Sequence, residues 1–217
     1  MKHMMPERMA DTVPTSLTPR SGRDRLAQVV SQVTNPAFVA LPTFLVVALR
    51  TAPNAGTGLV WWLITTIGIS LAPLLHIAQG VRAGRYRDHH LSVRQERLIP
   101  VLVGLVSAGT ALALLLLWHA SRAFLATVAA VVVGAALALV VTHGARWKIS
   151  LHVAGNAGAV TVMILLFGWP AVLLVPLVPL VGWARWQVRA HTLAQVVAAT
   201  LISVAVTVAA FWLFGAL

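Results

Sequence analysis

An arginine and a histidine six residues apart, Arg185 and His191, sit in the stretch ARWQVRAHTLAQ (184 to 195) between two strongly apolar runs. A guanidinium presents five N–H donors in a planar fork and stays charged at any physiological pH. A neutral imidazole supplies a nucleophilic nitrogen or carries a proton. Charge beside a bilayer is costly, so the pair asks for a functional explanation. A second polar stretch, HGARWKISLHVAGNAG (143 to 158), brings Lys148, Ser150 and His152. A third, GVRAGRYRDHHLSVRQERLIP (80 to 100), brings Arg87, Arg94 and Arg97 with the carboxylates Asp88 and Glu96. Cations and helix N-termini gathered at one interface make an anion site. The anion that suits a pocket open to lipid is a phosphate or diphosphate on a hydrophobic tail.

The elements that must position these residues are apolar helices. Hydrophobic residues make up 59% of the chain and charged ones only 10%, against about a quarter charged in a soluble domain. Apolar windows at about 27–50, 58–80, 99–119, 122–143, 149–168, 171–183 and 192–216 approach the roughly 20 residues that cross a hydrocarbon core. The expectation is an all-α, polytopic transmembrane helical bundle of six or seven transmembrane helices, forming a single domain over 27–217. Asn35 and Pro36 kink the first window or mark its start, and the sixth is short and carries Pro176 and Pro179. Residues 1–26 are polar, basic and Pro-containing, without the apolar core of a signal peptide, and read as a disordered cytoplasmic tail.

With seven crossings, every Lys and Arg except Arg50 and Arg122 falls on the side of the N-terminus. The positive-inside rule makes that side the cytoplasm and puts the three polar stretches there too. The net charge of +11 is then topological, and nucleic acid is not an expected partner. The chain has no cysteine, which excludes disulfides and thiolate metal sites.

On these residues the chain resembles the type-2 phosphatidic acid phosphatase superfamily, the lipid phosphate phosphatases, over about 80–216. That family carries a Lys followed by six residues and Arg-Pro, then Pro-Ser-Gly-His, then Ser-Arg, five residues, His, three residues and Asp. Here Ala184-Arg185, five residues, His191, three residues and Gln195 stand for the third pattern, and Ile149-Ser150-Leu151-His152 for the second. Arg87, six residues and Arg94 keep the cation spacing of the first, with Arg97 and Pro100 as a displaced Arg-Pro. The resemblance implies a lipid phosphate phosphatase-like bundle that hydrolyses a lipid or isoprenoid phosphate or diphosphate. It casts His191 as the nucleophile that becomes a phosphohistidine and His152 as the proton donor to the leaving oxygen. Arg185, Ser150, Lys148, Arg87, Arg94 and Arg97 would bind phosphate, and no cofactor is needed.

Two departures bear on the reaction. Gln195 stands where the family has the Asp that stabilises the histidine cation; an amide can fix a tautomer by hydrogen bonding but cannot neutralise an imidazolium. Leu151 replaces a glycine that permits close approach of the backbone to phosphate. Asp88 or Glu96 could supply the missing carboxylate from another loop, or hold Mg²⁺ beside a diphosphate. Two alternatives to hydrolysis therefore stand beside it. One is an enzyme that ionises the diphosphate, as a membrane terpene cyclase or prenyltransferase does; the other is an inactive lipid-phosphate binder.

Overall fold

A computed structural model describes residues 21–87, 98–144 and 147–217. Among them there are helices and turns and no strand. The elements are α1 (Gly22–Val33), α2 (Pro36–Thr51), α3 (Ala55–Thr65) and α4 (Ala72–Arg82), then α5 (Leu98–Leu117), α6 (Arg122–Gly144), α7 (Leu151–Phe167), α8 (Leu177–Gln187) and α9 (Leu193–Leu213). A π-helical turn, Thr66–Leu71, joins α3 to α4, and a 3₁₀ turn, Trp169–Leu174, precedes α8.

Helix starts follow the polar residues that punctuate the apolar runs. Asn35, Asn54, Ser121, Ser150 and Thr192 each turn a side-chain oxygen toward an otherwise unpaired amide of the first turn, at 2.9 to 3.4 Å. The expected hairpin at 121–122 is present: α5 ends with His119 in the left-handed region (φ 51°), and Ser121 caps α6. Gly168, also left-handed (φ 68°), ends α7 ahead of Trp169 and Pro170.

Five helical segments are long and apolar enough to cross a membrane: Ala55–Arg82, Leu98–Leu117, Arg122–Thr142, Trp169–Gln187 and Leu193–Leu213. The pair α1 and α2 makes a sixth if its 45° bend at Thr34–Asn35 lies within one span. The 17 residues of α7 are apolar but shorter. The sixth apolar window is longer than its 171–183 core, because the 3₁₀ turn and α8 run on from Trp169 to Gln187. Helix α1 begins at Gly22, inside the stretch assigned to the tail, with Ser21 as its cap.

The central packing joins α7 and α6 to α9. Small residues allow it: a Cβ on Gly158 of α7 would meet Ser203 of α9, and one on Gly155 would meet Pro36 of α2. The largest core cluster lies toward the other end of these helices, where Trp61 stacks on Phe124 and Phe44 meets the same ring edge-on. The end holding the polar stretches has smaller clusters, Ala138, Ile149, Val153, Val181 and Ala199 in one and Ala27, Val30 and Ala184 in the other.

Candidate functional site

The spacing of Arg185 and His191 has a local cause. Helix α8 ends in a Schellman motif: the Arg189 amide bonds the Trp186 carbonyl (2.9 Å) and the Ala190 amide bonds the Arg185 carbonyl (3.0 Å). The His191 amide adds a longer bond to the same carbonyl, 3.3 Å. Thr192 then caps α9 at once, so His191 is held in the tight corner between two helices. The left-handed position of the motif is Arg189, at φ 55°, where glycine is usual.

Gln195 has a definite structural place. Thr192 and Gln195 form a reciprocal capping box, with the Gln195 Oε1 accepting from the Thr192 amide at 3.1 Å. The same oxygen lies 3.2 Å from His191 Nδ1. Because an amide oxygen only accepts, this contact puts the proton on Nδ1. The sequence marks the box as T-x-x-Q before an apolar run, a signal the family comparison passes over by reading Gln195 only as a lost Asp.

His191 is buried. Its burial, then the positive charges of Lys148 and Arg185, push the imidazole from its ordinary 6.5 down to about 4, against the opposing bonds to Gln195 and the Lys148 main chain. At neutral pH the ring is therefore uncharged, the form a nucleophile needs. A shallow depression of about 660 Å³, within the size range of small-molecule sites, opens beside it. Lys148, Trp186, Arg189, His191 and Thr192 line it.

Arg185 and His152 lie off that lining. Arg185 projects from the last turn of α8 toward α1, where its Nη1 donates to Ser31 Oγ at 2.5 Å. Its Nε is buried and finds no acceptor among the described residues, and none of their carboxylates pairs with it. His152, in the first turn of α7, feels the charges of both Arg185 and His191 and lies near the Ser31 main chain. Ser150 is fully buried, and its hydroxyl is engaged as the cap of α7.

The stretches 143–158 and 184–195 thus meet, as an up-and-down bundle allows. The described part of 80–100 shows a separate arrangement. Arg87 is exposed, and neighbouring Tyr86 folds back over Gly80 to place its hydroxyl 2.9 Å from His76 Nε2. Arg94, Arg97, Asp88 and Glu96 lie outside the described residues.

Sequence reasoning started the first helix at about 27 and missed the first turn of α1 and its contacts with the site. Ser31 accepts from Arg185, Gln187 Nε2 donates to Asp24 Oδ1 (2.9 Å), and Asn156 of α7 donates to the Thr34 carbonyl (3.0 Å) at the α1–α2 bend. The available signal was an Ala27, Val30, Ser31 stripe at helical spacing, preceded by Ser21 and Asp24 as a helix start. No family model, curated protein or solved structure matches the chain.

Proposed function

We propose that this membrane protein is an enzyme of lipid phosphate phosphatase-like architecture acting on a lipid or isoprenoid phosphate or diphosphate. The observation that carries the reading is Arg185. A half-buried guanidinium whose Nε finds no acceptor and which meets no carboxylate among the described residues is a costly arrangement, because a cation drawn out of water needs a counterion and acceptors for its N–H groups. A ligand phosphate supplies both, and the two histidines of the matched patterns stand beside that cation.

In the proposed reaction a His191 ring nitrogen attacks phosphorus while the bond from phosphorus to the ester or bridging oxygen breaks. His152, carrying a proton as its imidazolium while the anionic substrate is bound, gives that proton to the leaving oxygen. Water then attacks the phosphohistidine and loses a proton to His152, releasing phosphate and restoring both the His191 imidazole and the His152 cation. Lys148 and Arg189, on the wall of the depression, meet the phosphate oxygens first, and the N-termini of α7 and α9 add favourable dipoles. Charge distribution along the chain supports a cytoplasmic location for this end and for the N-terminus.

The geometry of Gln195 favours a second reading, in which the diphosphate leaves by ionisation and no phosphohistidine forms. Its amide accepts from His191 but brings no negative charge to stabilise an imidazolium. In this reading Mg²⁺ held by Asp88 and Glu96 would assist departure.

Incubating the purified protein with farnesyl diphosphate or phosphatidic acid separates the readings. Release of phosphate with the parent alcohol or diacylglycerol supports hydrolysis; release of diphosphate with a hydrocarbon product supports ionisation. Turnover of neither substrate, with neither bound, would remove the proposal. Gln195→Glu keeps the capping box and adds the missing carboxylate, so hydrolysis should rise by at least about tenfold if imidazolium stabilisation limits it.

A further inference from the structure

We propose that Ser31 of α1 is a positioning residue of the anion site, aiming the Arg185 guanidinium through its hydroxyl. This rests on the reading of Arg185 as the anion's counterion. The residue is buried on the face of α1 that docks on α8, in the stripe it shares with Ala27 and Val30. Its hydroxyl reaches α8 through Arg185, close to the His152 end of α7.

The physical need is clear from the side chains. Arg has four rotatable side-chain bonds, and with Nε unpaired the Ser31 bond is its one hydrogen bond among the described residues. Without that bond the guanidinium samples other rotamers, and binding an anion must then bear the cost of ordering it. The α1 backbone is well anchored for this task. Asp24 and Gln187 clip its start to α8, and Asn156 holds Thr34 just past its end.

The Asp24–Gln187 bond also provides the control, since it holds α1 on α8 without touching Arg185 or His152. Calorimetric titration with farnesyl diphosphate, in detergent, compares wild type, Ser31→Ala, Ser31→Thr and Asp24→Ala, with Tm measured for each. The expected result is an affinity loss of about tenfold for Ser31→Ala, the scale of a hydrogen bond to a charged group. Ser31→Thr, which keeps the hydroxyl, should recover most of it, and Asp24→Ala should bind within about twofold of wild type even if its Tm falls. In turnover, the Ser31→Ala loss should fall on kcat as well as KM, because the aligned state is worth most at the transition state.

Equal losses in Ser31→Ala and Asp24→Ala would assign the effect to helix docking and overturn the proposal. So would unchanged or tighter binding in Ser31→Ala, tighter binding meaning that Ser31 competes with the ligand for Arg185. If wild type itself fails to bind farnesyl diphosphate, phosphatidic acid and inorganic pyrophosphate, the anion-site reading falls and this inference with it. Wild-type binding with an unaffected Ser31→Ala removes the inference alone.

Discussion

Two histidines in this bundle make a side-chain hydrogen bond near the end of a helix, and their settings differ. His76 of α4 meets the Tyr86 hydroxyl at 2.9 Å, with the two rings tilted against each other, and the tyrosine covers Gly80 so closely that no Cβ would fit there. That contact folds the chain back onto α4 after its last turn. His191 meets Gln195 at 3.2 Å but also feels the charges of Lys148 and Arg185, borders an open depression and sits near a guanidinium that meets no carboxylate among the described residues. The imidazole and its partner are alike in kind; the positive charge around one of them is what separates a candidate reactive centre from a structural clasp.

The largest expected effect tests that distinction directly. His191→Ala should lower hydrolysis by at least about 10³-fold, as loss of a covalent nucleophile does, whereas His76→Ala should leave kcat within a few-fold. Trapping with radiolabelled phosphate ester followed by acid and base stability assays reports the phosphohistidine. Comparable losses in the two variants would erase the comparison. Arg185→Ala should cost about ten- to a hundredfold in ligand affinity, and Arg185→Lys should recover little of it, because an ammonium lacks the planar fork.

Next in size is the pH dependence. With the His191 ring pushed down to about 4, the acid limb of kcat/KM should lie near that value and well below the ordinary 6.5. The stability consequence has the same origin: between about 6.5 and 4 the unfolded chain binds a proton that the folded chain refuses. Stability therefore falls as pH drops through that window and gains nothing further from this group above it. A His191→Gln variant should lose this contribution, measurable as a flatter Tm against pH.

A smaller and opposite-signed effect is expected at the corner of α8 and α9. Arg189 occupies a left-handed position that costs a non-glycine residue about 1 kcal/mol or more. Arg189→Gly should raise Tm while weakening phosphate binding, since its cation is removed from the wall of the depression. A rise in both stability and affinity would show that the arginine serves neither. The smallest change belongs to the clasp: Tyr86→Phe removes one hydrogen bond, and unfolding should become easier by about 1 kcal/mol with catalysis unaltered.

The apolar windows were legible because burial in lipid and helix length both leave their mark on consecutive residues. Each window has its helical counterpart, and Asn35, Ser121 and Gly168 marked their turns. The meeting of 148–152 with 185–195 was also foreseeable, since both stretches lie at helix mouths on one side of an up-and-down bundle. Ser31 was not. It stands as a lone serine inside the first apolar window, and its meaning depends on a contact with α8 more than a hundred positions away.

By itself the sequence determined an all-helical membrane bundle, the positions of its turns and the local corner that spaces Arg185 from His191. These follow from patterns confined to neighbouring residues: apolar run length, capping side chains and a Schellman turn followed by a capping box. The tertiary structure alone decided that α1 closes over Arg185 and that Ser150 is buried as a cap. It also decided that the Tyr86–His76 clasp stands apart from the His191 site. Those outcomes depend on which faces of distant helices meet, and no single stretch of chain carries that information.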